Sequence, residues 1–266
     1  MYINRTMPHI DIVDVNASNV DEVGFFCAMS TPGSAGYEEK LAWTKERFQE
    51  GLRIKVIERG GFIEYIPGRF AWRGIEAPNY MVIHCMWVVD RAQGKGHGKA
   101  LLQACIRDTR DAGLSGIAAV SAKGKVGLVD TDFFLRQGFH IVQSTCGMDL
   151  VALKFDLAAA DPHFSSDLRK KARALGDGLT VVSSPQCPYT YESAQQVVEI
   201  ARADNIRARS LRVNSLKQLR QTSPSPYASF DIVYDGEVIS NCFQCMTAER
   251  LETLISGVSK PREVMK

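Results

Sequence analysis

A nine-residue apolar segment that runs directly into a glycine-rich loop restricts this chain more than any other part of its sequence. Residues Met81 to Val89 are rich in β-branched and aromatic side chains, which is typical of a central strand buried on both faces. Glycines then alternate with polar residues from Gln93 to Gly98, and Leu101, Leu102 and Cys105 follow at helical spacing. This order predicts an α/β fold in which a buried strand leads through a loop into a helix.

The glycine-rich loop has the chemistry of a phosphate site. Glycine allows positive φ and close backbone approach, and the unpaired N–H groups at a helix start carry partial positive charge. Lys95 and Lys99 add positive charge to the same segment. The alternative is a tight glycine turn that binds nothing, since a glycine cluster alone is weak evidence for a ligand.

The composition argues against several classes of protein. The chain has 266 residues, of which 45% are hydrophobic, enough for the packed core of one large domain or two modest ones. Its 32 basic and 30 acidic residues are spread along the sequence, so no basic surface for nucleic acid stands out. No apolar run approaches the ~20 residues that span a bilayer, and Met1 to Arg5 does not resemble a signal peptide. We therefore expect a cytoplasmic protein that binds neither nucleic acid nor membranes.

Hydrophobic periodicity predicts most of the other elements before residue 156. These are a strand at His9 to Val15, a helix at Tyr37 to Leu52, a hairpin at Arg53 to Ile66, a strand at Gly116 to Ser121, a helix at Asp130 to Gln137, and two strands within Phe139 to Phe155.

Gln93, Gly96 and Gly98 match the Q/R-x-x-G-x-G/A motif of the GCN5-related N-acetyltransferases, the GNAT family. The predicted element order resembles that family over residues 1–155. The resemblance implies an α/β (α+β) fold with a mixed, mostly antiparallel sheet flanked by helices, and acetyl-CoA as cosubstrate. In that family the central strand's backbone holds the pantetheine arm and the loop holds the pyrophosphate. The corresponding residues here are Val88 and Val89 for the arm, and Gln93, Gly94, Lys95, Gly96, His97, Gly98 and Lys99 for the pyrophosphate.

This chain departs from the family at a later motif, which often reads N-x-x-A followed by a tyrosine. Gly127, Asp130 and Phe134 occupy those positions. The family tyrosine can protonate the departing coenzyme A thiolate, whereas phenylalanine has no exchangeable proton. The acid is therefore elsewhere or unnecessary, since a thiol with a pKa near ~8.5 is a tolerable leaving group.

An amine acceptor must lose a proton before it attacks the thioester, because an alkyl ammonium has a pKa of about 10. By the resemblance, the loop Ser30 to Gly36 borders the acceptor cleft. His84 and Cys85 of the predicted central strand are candidates for a catalytic role, and core packing is the alternative for each. Successive strand side chains face opposite ways, so at most one of them is expected to face the cleft. The weaker candidates, expected to be solvated, are Glu64, Asp130, Asp132 and His140.

A second βα pattern begins at Leu179, after a charge-rich segment at 156–178 that predicts a linker helix. Cys187 to Thr190 resembles the Cys-Pro-Tyr-Cys motif of thioredoxins and glutaredoxins, with Thr190 in place of the second cysteine. The resemblance implies a smaller βαβαββα domain at 179–266. A helix start lowers a thiol pKa, so we expect Cys187 to be a reactive thiol that is alkylated before the buried Cys105. Because it belongs to a separate module, we do not expect it to be the nucleophile of acetyl transfer.

The whole arrangement resembles the YoaP-like acetyltransferases. It predicts transfer of an acetyl group from acetyl-CoA to an amine of a small molecule or peptide, by a monomer or homodimer. Two alternatives remain open, a thiol-redox protein that uses Cys187 and a non-catalytic acyl-CoA-binding regulator, which Phe134 favours. Cys242 and Cys245 are ordinary thiols, a redox pair for Cys187, or half of a zinc site. Zinc needs four ligands and no second cysteine pair is present, so we predict no metal.

Overall fold

The structure, a computed structural model, describes residues 10–28, 31–124, 127–145, 147–244 and 246–259. His9 of the first predicted strand, Ser30 of the predicted cleft loop and Cys245 lie outside these residues. Within them, no helix combines the length and the apolar character needed to cross a membrane.

The first part of the chain, residues 10–154, forms one seven-stranded sheet. Its elements are β1 (Val13–Val15), α1 (Val20–Val23), α2 (Ala35–Phe48), β2 (Arg53–Ile57), β3 (Gly61–Pro67), β4 (Ile75–Glu76), β5 (Tyr80–Val88), α3 (His97–Asp111), β6 (Gly116–Ser121), α4 (Thr131–Arg136), β7 (His140–Thr145) and β8 (Met148–Lys154). The strand order is β1-β2-β3-β5-β6-β8-β7, and only the β5–β6 pair is parallel. The prediction of a mixed, mostly antiparallel sheet is confirmed.

Strand β5 lies in the middle of the sheet and is covered on both faces, as its apolar run predicts. Tyr80 and Val82 pack into one core with residues of α2. Met81 and Ile83 pack into the other core with residues of α3 and α4. Apolar side chains on alternate faces therefore fix this strand between two layers of helices.

A β-bulge interrupts the alternation in the middle of β5. Glu64 of β3 pairs with Cys85 and Tyr65 pairs with Ile83, which leaves His84 as an extra residue. Beyond the bulge, side chains change faces, and both His84 and Cys85 border the same cavity. The expectation that at most one of them faces the cleft is therefore wrong, because strict alternation holds only in an unbulged strand.

Strands β5 and β6 separate beyond the bulge. Their pairing runs from Tyr80 opposite Gly116 to Ile83 opposite Ala119. The last residues of β6 pair with β8, and the last residues of β5 pair with β3. Among the described residues, one edge of β5 thus lacks a strand partner at the end that leads into the glycine loop.

The second part of the chain, residues 163–259, adds a four-stranded sheet of order β11-β10-β12-β13. Its elements are β9 (His163–Phe164), α5 (Leu168–Ala174), β10 (Leu179–Ser183), α6 (Thr190–Ala203), β11 (Ala208–Arg212), α7 (Leu216–Thr222), β12 (Phe230–Tyr234), β13 (Glu237–Ser240) and α8 (Ala248–Ser259). Strands β10 and β11 are parallel and the other pairs antiparallel. From β10 onward the element order is the predicted βαβαββα. The relation to thioredoxins stays a prediction.

The segment at 156–178 is more than the linker helix that we expected. Helix α5 occupies only seven of its residues, and β9 pairs with β4 of the first part through Ile75 opposite Phe164. Apolar and charged patterns do not reveal such a short pairing, because two-residue strands leave no periodicity. The domain boundaries at 155 and 179 stay predictions.

The two parts pack closely against each other and share one hydrophobic core. A Cβ atom on Gly36 of α2 would lie 2.0 Å from the carbonyl oxygen of Pro188, and one on Gly74 would lie 2.3 Å from that of Ser225. Arg212 of the second part also forms an ion pair with Glu39 of α2. Glycine at these two positions permits an approach that any side chain would prevent.

Candidate active site

The glycine loop has the backbone geometry of an anion site. Gly94 and Gly96 have φ of 73° and 87°, and α3 begins directly afterwards at His97. Among the described residues, no hydrogen bond leaves the backbone N–H groups of His97, Gly98 and Lys99. Since the first N–H groups of a helix have no partner within it, three donors remain for a ligand.

The surroundings of the loop favour a phosphate group. The first turn of α3 contains no acidic residue, and Lys95 and Lys99 are exposed beside it. Gln93 donates from Nε2 to the carbonyl oxygen of Val88, at 3.4 Å, and to Asp90 Oδ1, at 3.2 Å. These contacts tie the loop to the end of β5, next to the opening between β5 and β6.

A cavity of about 580 Å³ lies at that opening, between the two parts of the chain. Cys85 and Trp87 of β5 line it from the first part, and Gln186 and Cys187, just before α6, line it from the second. Its aromatic walls include Phe25, Phe26, Phe62, Trp87, Tyr189 and Phe243. The size and apolar lining are those of a small-molecule site.

Lys40 and Glu64 form a buried ion pair at this cavity, and each is only 2% exposed. Lys40 Nζ also lies 4.2 Å from the centre of the Trp43 ring. Burial alone would raise the pKa of Glu64, but the charge and hydrogen bond of Lys40 and the adjacent His84 imidazole lower it to about 2. Glu64 is thus a buried carboxylate that is ionised at neutral pH, and the expectation of a solvated side chain is wrong.

His84 positions Glu64 and is not available as a general base. Its Nε2 accepts a hydrogen bond from the backbone N–H of Trp72 at 2.9 Å, so Nδ1 carries the proton and points to Glu64 Oε1, 3.3 Å away. Burial lowers the pKa of His84 to about 4, against the opposing effect of Glu64. The imidazole is therefore neutral at pH 7, and neither ring nitrogen has a lone pair that faces the cavity.

Arg73 lies in the loop before β4, is 4% exposed and borders the same cavity. Its Nη1 donates to the carbonyl oxygen of Trp72 at 3.0 Å, to Ser229 Oγ at 2.8 Å and to Gln186 Oε1. Its Nη2 donates to the carbonyl oxygen of His84, and its Nε has no partner. The guanidinium is held by neutral dipoles from both parts of the chain.

Three thiols of the described residues border this cavity, those of Cys27, Cys85 and Cys187. Burial raises the pKa of all three, that of Cys85 to about 12. At Cys187 a hydrogen bond from the Tyr189 backbone opposes the effect of burial without overcoming it. The expected lowering of the Cys187 pKa is therefore wrong, because loss of water outweighs the helix dipole. The thiol also borders the same cavity as Cys85 instead of a separate site.

We expect iodoacetamide to alkylate Cys187 at least ~10-fold more slowly at pH 7.5 than a solvent-exposed cysteine, because little thiolate is present. The rate should still be rising above pH 9, while Cys105, which is fully buried, stays unmodified. Peptide mass mapping of the parent and of Cys187→Ser measures this. A rate that is already level between pH 7 and 9 would show that the thiolate forms readily, contrary to this account.

Phe134 is fully buried and packs against Phe139, with ring centres 4.9 Å apart, so its position belongs to the core. Tyr189 offers a hydroxyl to the cavity instead. Its oxygen accepts a hydrogen bond from the backbone N–H of Ala28 at 2.9 Å, which leaves its own proton available. Burial raises the pKa of Tyr189, so the hydroxyl stays protonated.

The remaining candidates lie outside the cavity. Asp130 caps α4 by accepting from the backbone N–H of Asp132 at 2.9 Å, and Asp132 pairs with Lys123 at 3.0 Å. His140 is exposed on β7. These three have the solvated positions that we expected. Within the described residues, no group of three His, Cys, Asp or Glu side chains could hold a metal ion.

Comparison with known proteins gives several relatives. The profile of the acetyltransferase (GNAT) family matches residues 24–139. The uncharacterized N-acetyltransferase YoaP of Bacillus subtilis is 31% identical over 253 residues, which are 93% of this chain and 99% of YoaP. The L-amino acid N-acyltransferase MnaT of Escherichia coli is 30% identical over 76 residues, 29% of this chain and 44% of MnaT. Among solved structures, yncA of Salmonella typhimurium with acetyl-CoA has a TM-score of 0.39 at 18% identity, covering 57% of this chain and 98% of yncA.

The match to YoaP extends over nearly all of both chains, so it includes the second part as well as the glycine loop. The family profile spans β5, the glycine loop and α3. Acetyl-CoA is the cosubstrate of this family. The chain therefore belongs to the GNAT family of acetyl-CoA-dependent acetyltransferases and is a relative of YoaP.

Proposed function

We propose that this chain transfers an acetyl group from acetyl-CoA, bound at the glycine loop, to the amine of a small molecule or peptide in the 580 Å³ cavity. One observation carries the proposal. Strands β5 and β6 separate beside the glycine loop, and the part of β5 beyond that point borders the cavity. A thioester that follows the unpaired edge of β5 from the loop would therefore end at the acceptor.

Coenzyme A would use two kinds of backbone donor and acceptor. Its pyrophosphate would accept from the N–H groups of His97, Gly98 and Lys99, with Lys95 and Lys99 adding charge. Its pantetheine arm would pair with the backbone at Val88 and Val89, where β5 has no second neighbour among the described residues. Polar backbone groups at an open strand edge are suited to an extended partner.

Glu64 would hold the acceptor's ammonium group. Its Oε1 accepts no hydrogen bond of good geometry among the described residues, and its pKa of about 2 keeps it ionised. His84 would act as a positioning residue that orients this carboxylate, and Cys85 would form part of the wall. Because no base with a pKa near 7 among the described residues faces the cavity, the transfer rate should follow the neutral fraction of the amine and rise with pH to about 9.

Tyr189 would supply the proton that Phe134 cannot. Its hydroxyl borders the cavity, stays protonated and has its own proton available. It would pass this proton to the sulfur of the departing coenzyme A thiolate as the C–S bond breaks, and the phenolate would regain a proton from the nitrogen that has formed the amide. The name of MnaT, an L-amino acid N-acyltransferase, further supports an amine as the acceptor.

Single-turnover transfer from radiolabelled acetyl-CoA to a panel of amines tests this function. We expect at least one N-acetyl product from the parent, and at least ~10-fold slower transfer by Tyr189→Phe at unchanged acetyl-CoA affinity. If bound acetyl-CoA does not react with any amine of the panel, the chain is an acyl-CoA-binding regulator instead. If Tyr189→Phe transfers at the parental rate, transfer stands and the proposed acid is wrong.

A further inference from the structure

We infer that the acceptor is an amine that also carries a carboxylate, an α-amino acid with an apolar side chain, and that its carboxylate pairs with Arg73. The inference rests on the proposed function, since it names the substrate class of the same cavity. It starts from a buried cation that has no anionic partner among the described residues.

Burial lowers the pKa of Arg73, but the pKa of a guanidinium starts so high that Arg73 keeps its proton at neutral pH. All the acceptors of its Nη1 and Nη2 are neutral: two backbone carbonyls, one amide and one hydroxyl. Its nearest aromatic contact, the Tyr227 ring at 5.3 Å, is neutral as well. A buried charge without a counter-ion is costly, so a fully desolvated guanidinium beside a cavity favours an anionic ligand.

The charges around the cavity also favour a ligand that carries a carboxylate. Lys40 and Glu64 cancel each other, and His84 is neutral. Arg73 therefore leaves one positive charge in excess. A zwitterion would place its carboxylate at Arg73 and its ammonium beside Glu64 Oε1, the carboxylate oxygen that Lys40 does not contact, so that each of its charges meets an opposite one. A simple monoamine would add a second positive charge and leave Arg73 uncompensated.

The free N–H groups of the planar Arg73 guanidinium are also arranged to bind a carboxylate. Its Nε has no acceptor, and its Nη2 has only the His84 carbonyl, so two N–H groups remain. Two N–H groups of one guanidinium can bind a carboxylate in bidentate fashion. The aromatic walls at Phe25, Phe62 and Phe243 would accommodate an apolar side chain.

The second part of the chain contributes to the proposed carboxylate site. Gln186 and Ser229 both contact Nη1 of Arg73, and the Ser229 hydroxyl also donates to Gln186 Oε1 at 2.8 Å. The second part thereby supplies two of the four acceptors that hold Arg73, and the carbonyl oxygens of Trp72 and His84 in the first part supply the other two. Gln186 is also the position at which a counter-ion can be built in without changing side-chain length.

The test compares phenylalanine with phenethylamine, and leucine with 3-methylbutylamine, as acceptors of the parent protein. Each pair differs by one carboxylate. We expect kcat/KM to be at least ~30-fold higher for each amino acid, the value of a charged hydrogen-bonded pair. Equal values for the acid and the amine would overturn the inference and leave the proposed transfer intact.

Gln186→Glu supplies Arg73 with an internal carboxylate, and Gln186→Met is the matched uncharged control. We expect Gln186→Glu to lose the preference for amino acids and Gln186→Met to keep it, with acetyl-CoA affinity unchanged in both. Thermal melts establish that both variants fold. A Gln186→Glu variant that still prefers amino acids by the parental ratio would contradict a carboxylate site at Arg73.

A binding measurement separates this inference from the proposed function. By calorimetry, 3-phenylpropanoate should bind the parent at least ~10-fold more tightly than 3-phenylpropanamide, and Gln186→Glu should abolish that difference. This readout needs no acetyl transfer. If no amine is acetylated but the carboxylate binds selectively, the proposed function fails and the anion site stands. If amide and carboxylate bind equally, the anion site fails.

Discussion

Replacing Gly98 by glutamate should lower the affinity for acetyl-CoA by at least ~100-fold, because a carboxylate a few ångströms from the pyrophosphate costs about 3 kcal/mol or more. Gly98 lies in the first turn of α3, where the backbone N–H groups have no partner among the described residues. The fold should survive, since acidic residues in the first turn of a helix are favourable. Isothermal titration calorimetry of the parent and the variant measures the change.

Two matched variants separate charge from bulk at Gly98. A Cβ atom there would lie 3.2 Å from Met86 Cε and 3.3 Å from Phe133 Cε2, both ends of side chains that can shift slightly. Gly98→Ala tests that crowding alone, and Gly98→Gln has the size of glutamate without its charge. Both should bind acetyl-CoA more tightly than Gly98→Glu. Parental affinity in Gly98→Glu would mean that the loop is not the phosphate site.

Breaking the buried pair of Lys40 and Glu64 should have the largest effect on stability. Glu64→Gln leaves the ammonium of Lys40 buried without its partner, which should cost about 3–5 kcal/mol and lower Tm by roughly 10 °C. Lys40→Met should destabilise the folded protein in a similar way, because it leaves the buried Glu64 carboxylate with only His84 beside it. Thermal unfolding followed by circular dichroism measures both changes.

The double variant Lys40→Met with Glu64→Gln distinguishes stability from activity. It contains no buried charge at this position, so its Tm should return to within a few degrees of the parent. Its acetyl transfer should stay at least ~100-fold slower, because the ammonium of the acceptor then has no carboxylate. If the stable double variant transfers acetyl groups at the parental rate, Glu64 does not bind the acceptor. A parental Tm in both single variants would contradict the buried pair itself.

The sequence predicts the parts of the site that depend on local order. The apolar run of β5 and the glycines before α3 are adjacent in the chain, so their periodicity and composition identify both elements. Helix α4, with Asp130 as its cap, and the hairpin of β2 and β3 are also present where we predicted them. Such features follow from neighbouring residues, whose backbone preferences act over a few positions.

The cavity between the two parts of the chain could not be predicted in the same way, because its residues meet only after the two parts pack together. Lys40 is part of a charged helix, Arg73 is part of a loop, and neither has a pattern that indicates burial. The bulge at His84 is also hidden in an unbroken apolar run. The best sequence indication was Glu64, a single acid within an otherwise apolar strand, where an unpaired charge would be costly.

At Cys187, tertiary packing outweighs the effect of the local sequence on the pKa of the thiol. Its place just before α6 predicts a thiol with a lowered pKa, and the Tyr189 backbone does contribute in that direction. The packing of the second part against the first removes water from the thiol, and that effect is larger. A motif taken alone therefore predicts the position of the thiol correctly and its ionisation wrongly.

The crystal structure of the protein with acetyl-CoA tests the central claim most directly, because it locates both ends of the cosubstrate at once. We predict the pyrophosphate on the N–H groups of His97, Gly98 and Lys99, the pantetheine arm along the unpaired edge of β5, and the acetyl group in the cavity beside Cys85 and Tyr189. An acetyl group outside that cavity, or a pyrophosphate away from the start of α3, would contradict the account.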